Sequence, residues 1–197
     1  MKKLSLYIFL GLMWCNVGVA DDISKYQIEG ISIGDSLLDH LSKEEIITEI
    51  EINKPTYNYL NDEFGEVYLR GNFDTYDRLS FFVKPKDKHY TIYSIYGIIS
   101  YDDKLEQCFA KQKEIEKEFS SMYKNAKKYK STLEFDWDPT GESVTHNITF
   151  FFDSGDNIEV NCTKYKKSLK IENNWEDSLQ VSISKKEIFD WFGKRIN

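Results

Sequence analysis

Glu134, Asp136 and Asp138 stand two residues apart in a stretch whose intervening positions, Leu133, Phe135 and Trp137, are apolar. On an extended strand that spacing sends all three carboxylates to one side. With Thr140-Gly141 as a hairpin tip, Trp137 pairs with Val144, Phe135 with His146 and Leu133 with Ile148, all six on one face. Ser143, Thr145 and Asn147 then stand opposite the acids. Such an oxygen-rich face suits calcium, which takes six to eight oxygen ligands. The water-facing side of any amphipathic strand looks the same, however. No EF-hand-type loop or glycine-pinned ligand spacing accompanies the trio, so the solvated-strand reading is favoured and no metal is assigned. Asp153 and Asp156 flank Ser154-Gly155, which is turn chemistry.

Proton transfer would need a histidine or a perturbed acid. His40 lies near a helix start, His89 in a turn, and His146 on the inward side of the expected hairpin. None is spaced with another His, Cys or carboxylate in a zinc-like pattern. There is no G-x-S-x-G elbow, S-x-x-K pair or phosphate loop. The enzymatic alternative is therefore a hydrolase whose site gathers scattered carboxylates and His146. No catalytic residue and no cofactor is assigned, and a non-enzymatic reading is preferred. Asn147-Ile148-Thr149 and Asn161-Cys162-Thr163 are glycosylation-type triplets short enough to arise by chance, and both fall inside expected strands.

The elements that would position these groups follow from periodicity. Residues 103–124 read as an amphipathic helix, with Asp103 as its N-cap and Leu105, Cys108, Phe109, Gln112, Ile115, Phe119, Met122 and Tyr123 on one face. Ile158, Val160 and Cys162 alternate with Glu159 and Asn161, so Cys162 lies on the apolar side of a strand. A helix packed on that sheet brings Cys108 and Cys162 together, and a structural disulfide is expected. Closing such a loop stabilises a fold by about 4 kcal/mol on the chain-entropy account. Ser42 to Glu45 is a capping box opening a helix over 44–50, ended by Pro55. Strands are expected at about 65–71, 78–84 and 90–100, with Pro85 to Lys88 turning the chain between the last two. Others come at 133–138, in the return arm of the hairpin, at 157–163 and at 179–183. Ser184 to Glu187 reads as a second capping box before a closing helix with Ile188, Phe189, Trp191 and Phe192. The sum is one α+β domain over 21–197: an antiparallel sheet of roughly six to eight strands, packed by the long helix and short terminal ones.

Charge and composition narrow the function classes. Lys2 and Lys3, an apolar run over Leu4 to Cys15, and Gly18-Val19-Ala20 before Asp21-Asp22 form the layout of a secretory signal peptide over 1–20. Trp14 before Cys15 is the wrong size for a lipidation site. Removing residues 1–20 takes away two lysines and no acids, so the formal net charge moves from −7 to −9. That balance argues against a nucleic-acid partner. An oxidising compartment favours pairing the two remaining cysteines. Lys111, Lys113, Lys117, Lys124, Lys127, Lys128 and Lys130 crowd the long helix and the segment after it, and Lys164, Lys166, Lys167 and Lys170 come after Cys162. Convergence of the two sets would make a basic patch. Glu114, Glu116 and Glu118 interleave with the first, and a solvated helix face is the favoured reading. Tyr57, Tyr59, Tyr68, Tyr76, Tyr90, Tyr93 and Tyr96 are candidates for an exposed aromatic patch.

Three segments carry a resemblance. YQIEGISIGDSLLDHL from Tyr26, the strand Tyr93–Tyr101 leading into a cysteine-bearing helix, and FFDSGDNIEVNC from Phe151 together resemble small exported proteins of AT-rich alphaproteobacteria of the marine oligotroph type. The resemblance implies a periplasmic location and a paired Cys108 and Cys162, and it transfers no catalytic residue. The expectation is a periplasmic or secreted binding or interaction module of the cell envelope, with an envelope or extracellular partner and no transmembrane segment in the mature chain. A secreted inhibitor or immunity-like protein is a further alternative.

Overall fold

The computed structural model describes residues 23–58, 60–102 and 104–194. The expected leader, Tyr59 and Asp103 lie outside the described residues; the long helix, for which Asp103 is the expected cap, has Lys104 at its N-cap, without a side-chain bond. Among the described residues nine strands and four α-helices form an α+β fold. A two-stranded ribbon, β1 (Gln27–Ile28) and β2 (Ile31–Ser32), turns through Glu29 and Gly30, both at positive φ. Helix α1 (Lys43–Asn53) carries the expected capping box: Ser42 Oγ accepts from the Glu45 N–H at 3.3 Å and Glu45 Oε2 from the Ser42 N–H at 2.8 Å. The strands β3 (Gly65–Arg70), β4 (Arg78–Val83) and β5 (Ile92–Ser100) form one antiparallel meander. The long helix α2 (Leu105–Met122) carries the chain across to a second meander, β6 (Lys127–Glu134), β7 (Val144–Phe151) and β8 (Asn157–Lys164). After α3 (Lys167–Asn173), β9 (Ser178–Ser184) slots between the meanders, and α4 (Lys186–Phe192) closes the fold. The sheet order is β3-β4-β5-β9-β8-β7-β6, antiparallel throughout.

The register sorts every strand residue onto one of two faces. On one, Phe81, Ile95, Ile183, Ile158 and Phe150 form a single cross-strand row, with Leu79, Gly97, Val181, Val160 and Ile148 in the next. This apolar face is covered by the ribbon, α1 and α2, and holds two of the three core clusters. Gly97 is required there, because the Tyr76 ring lies where a Cβ would stand, 2.5 Å away. Cys108 of α2 bonds Cys162 of β8 across the same interface. Gln112 reinforces the join, its Nε2 donating to the His146 and Val160 carbonyls at 2.7 and 2.8 Å. The two sheet edges are handled differently. Glu49 and Asn53 of α1 bond the Tyr68 N–H and the Glu66 carbonyl, so β3 is covered, whereas β6 is exposed along its length and carries Lys127, Lys128 and Lys130.

Three sequence expectations are corrected, and one helix is new. The strand expected at 133–138 spans 127–134 instead, and its partner runs 144–151, so Leu133 pairs with Thr145 and Thr132 with His146. Thr140-Gly141 is not a hairpin tip. Residues 135–143 form a wide loop because the Asp138 carboxylate gathers the Thr140 and Ser143 N–H groups and the Thr140 hydroxyl. The capping box expected at Ser184 to Glu187 does not form: the N-cap is Lys185, without a side-chain bond, and the Lys186 N–H is bonded by Asp156 Oδ1 at 2.9 Å. Helix α3, unanticipated, turns out of the lysine-rich stretch after β8.

Candidate functional site

The second sheet face is polar, and here the molecule is unusual. One row reads Tyr68, Ser80, Tyr96, Ser182, Glu159 and Thr149. The next contains Arg78, Ile98, Gln180, Asn161 and Asn147. A sheet face of hydroxyls and amides normally faces water, yet Ser182 is fully buried, Asn157 is 2 % exposed and Asn161 is 8 % exposed. Four buried side-chain atoms here have no hydrogen-bond partner among the described residues: Asn147 Oδ1, Asn157 Nδ2, Asn161 Oδ1 and Ser182 Oγ. Buried polar groups are nearly always bonded, because leaving one unpaired costs about 1–3 kcal/mol. Four such atoms lie on three adjacent strands, β7, β8 and β9, covered by other side chains rather than open to solvent.

Two acids share this face. Glu66 accepts from the Tyr57 hydroxyl at 2.7 Å and from the Ser80 hydroxyl. Glu159 accepts from Thr149 Oγ1 at 3.1 Å. Burial pushes both carboxyls above the usual carboxylate range, and the side-chain donors, hydroxyls at Glu66 and Thr149 with Asn161 at Glu159, only partly offset it. Neither makes an ion pair among the described residues.

Aromatic side chains flank the polar rows at both ends. At one end Trp191 and Phe192 of α4 pack with Tyr57, Phe64 and Phe82 into a closed cluster. At the other the rings are open. Phe135, Trp137 and Tyr165 lie within 24° of parallel, with centroids 4.6 to 6.4 Å apart, and Trp175 meets Trp137 edge-on at 5.4 Å. Trp137 is 49 % exposed and Trp175 39 %. The platform is rigidly held. Asp138 shapes the loop under Trp137, Ser143 Oγ accepts from the Lys166 N–H at 2.9 Å, and Asp177 Oδ1 accepts from the Tyr165 N–H at 2.9 Å. The Thr140 hydroxyl and the Ser143 N–H hold the Asp138 carboxyl well below its ordinary value.

The acid trio is dispersed by this arrangement. Asp138 is buried in the turn, Glu134 ends β6 on the opposite face to Leu133, and Asp136 is exposed in the loop. Among the described residues no group of three His, Cys, Asp or Glu side chains is placed to hold a metal ion. His146 does point inward, as expected, but its Nδ1 meets Thr132 Oγ1 at 3.0 Å and its ring abuts Phe109. It lines an open groove of about 460 Å³ with Phe109, Gln112, Lys113, Glu116 and Lys130. The acid nearest to hand there, Glu116, is taken by Lys128 at 2.8 Å and Lys130 at 2.7 Å. Burial opposes its ionisation, but those two ammonium groups hold it below the usual range. The groove is thus a salt-bridge seam between α2 and β6. The lysines after β8 serve other acids, Lys166 meeting Glu142 and Lys170 meeting Asp177.

Of the tyrosines expected to form an exposed patch, Tyr90 is buried and Tyr57, Tyr68, Tyr76, Tyr93 and Tyr96 are half-buried. The open rings are tryptophans, one of which, Trp137, the strand patterning had placed on the apolar side of a hairpin. Their signal in the sequence is faint: Trp137 sits beside a Pro-Thr-Gly turn and Trp175 comes after Asn173-Asn174, positions where a buried side chain is uncommon. The chain matches no family model, no curated protein and no solved structure. Among the described residues no helix is long and apolar enough to cross a membrane.

Proposed function

We propose that this chain is an exported, non-enzymatic binding module of the bacterial cell envelope, periplasmic or secreted, which engages its partner through the open end of the polar sheet face. The observation that carries the reading is the pair of exposed tryptophans, Trp137 and Trp175, on a backbone fixed by Asp138, Ser143 and Asp177. Exposed large aromatics on a pre-organised support are what a recognition surface needs, since little ordering is required on binding. The leader-like first twenty residues and the Cys108–Cys162 bridge support an oxidising compartment.

The test is expression of the full chain in a bacterium with a periplasm. The expected product is a periplasmic or released protein that begins at Asp21, is two hydrogens lighter than the dithiol, and co-sediments with isolated envelope fragments. The double variant Trp137→Ala, Trp175→Ala is expected to keep the melting temperature within a few degrees and to remain in the supernatant. Cytosolic retention with free thiols would overturn the export reading. Equal sedimentation of the variant, or none of the native protein, would overturn the assignment of the surface.

A further inference from the structure

We propose that the exposed edge strand β6 pairs with β6 of a second copy of this chain, antiparallel across a twofold axis at Ser131, joining two seven-stranded sheets into one. This pairing goes beyond the binding-module reading and uses a different surface.

The two edges of the sheet differ in what covers them. On β3, Glu49 Oε2 accepts from the Tyr68 N–H at 3.2 Å and Asn53 Nδ2 donates to the Glu66 carbonyl at 3.3 Å, so α1 occupies main-chain groups of that edge. On β6 every second residue turns its N–H and C=O away from β7, and no side chain among the described residues meets them. The strand is 8 residues long, pairs with β7 in unbroken register and contains no proline. Such an edge is a template for another strand. Its side chains are also open: Tyr129 is 57 % exposed and Leu133 53 %, both on the same side of the strand.

Symmetry and charge then choose the register. A twofold axis that sets two copies antiparallel keeps the same sheet face on each side of the join, so residues opposite each other belong to the same alternate set. Within 127–134 two registers give the greatest overlap. Centred on Lys130, the pairing sets Lys130 against its own copy and Lys127 against Leu133. Centred on Ser131, it sets Lys128 opposite Glu134 and Tyr129 opposite Leu133, each of them twice, with Lys130 opposite Thr132. Lysine discourages indiscriminate pairing at an edge. Here it rejects the first register by like charge and selects the second by opposite charge.

The groups needed are at hand. Lys128 and Lys130 both hold Glu116, at 2.8 and 2.7 Å, and one ammonium balances that carboxylate. In the dimer Lys130 keeps Glu116 and Lys128 turns to Glu134 of the second copy. Tyr129 packs edge-on against Phe151 at 5.7 Å, and Phe151 against Phe189 at 5.2 Å. Leu133 of the second copy therefore extends an apolar row that each chain already carries.

The experiment is sedimentation equilibrium of the disulfide-bonded chain 21–197, carried to about 1 mM, for the wild type and for Lys128→Glu and Glu134→Lys. A strand pairing of this length is a small interface, and half-dimerisation of the wild type is expected at about 10–100 μM. Each charge reversal sets like charge opposite like charge and is expected to weaken the dimer about tenfold or more. An equal mixture of the two variants is expected to restore it, because the reversed charges then meet their opposites across the join. That recovery also shows that both variants fold. Ser131→Cys is expected to cross-link to its own copy on mild oxidation, and Lys127→Cys is not. A wild type that stays monomeric throughout overturns the proposal, as does a dimer indifferent to both reversals or variants that do not recover on mixing. The double variant Trp137→Ala, Trp175→Ala is expected to dimerise as the wild type does, so the pairing and the tryptophan surface stand or fall separately. Loss of its dimer would move the join to the tryptophans and overturn the β6 pairing.

Discussion

Glu66 shows how much a single side chain carries on the polar face. Its carboxyl is 6 % exposed and is met by hydroxyls alone, so its charge is desolvated without a compensating cation. Between the ordinary value of 4.5 and the raised one, the native chain holds more protons than the unfolded chain. Stability must therefore fall as pH rises through that window, and Glu159 acts in the same sense. Asp138, Asp87 and Glu116 act oppositely, because their carboxyls are held below the ordinary range and their contribution is lost only as pH drops through those lowered values. The expected profile of melting temperature against pH descends above about 4.5 for the wild type, as Glu66 and Glu159 ionise. Glu66→Gln removes the charge and should flatten that descent while matching or exceeding the wild type at pH 7. Parallel profiles for the two proteins would show that Glu66 does not titrate in this window. The residue's role was invisible in the sequence, where Glu66 is one of many acids, since burial by Tyr57, Ser80 and Tyr68 is assembled from three separate segments.

Among the elements, α2 has the clearest dependence on one covalent link. Cys108, Gln112 and Ile115 lie on its buried stripe, and the disulfide and the two Gln112 bonds tie it directly to β7 and β8. The bridge closes a sequence separation of 54 residues. Replacing both cysteines by alanine is expected to cost about 2–4 kcal/mol in denaturant unfolding, with the fold retained. A loss below about 1 kcal/mol would mean that the helix face alone holds α2. The helix stripe and the strand alternation made this pairing legible, because both periodicities are local. The β6 register was not legible. Lys127 to Lys130 read as a charged run, yet they form an edge strand, where lysine is favoured because it discourages pairing with another chain.

For the molecule as a whole the decisive step is the insertion of β9. It pairs Ile183 with Ile95 and with Ile158, joining meanders that otherwise have no strand contact. Both halves must wait for it, since their apolar rows are continuous only through Leu179, Val181 and Ile183. A chain ending at Glu176 is therefore expected to lack cooperative unfolding and native tryptophan fluorescence, although six of the seven strands of the large sheet remain. A sharp thermal transition in that truncated chain would show that one meander folds alone.

Local patterns were enough to specify the α+β class, the Ser42 cap, the stripe of α2, most strand positions and the apolar partnership of Cys108 with Cys162. Period and capping chemistry act over a few residues, and each of these is set within one segment. Tertiary packing settled the rest: which polar residues are buried, which aromatics stay open, and that the acid trio is spent on a turn and a surface. Those outcomes depend on cross-strand register and on one strand arriving from the end of the chain. Burial is a property of what stacks above a residue, and for Asn161, Ser182 and Trp137 that neighbourhood is drawn from strands and loops far apart in sequence.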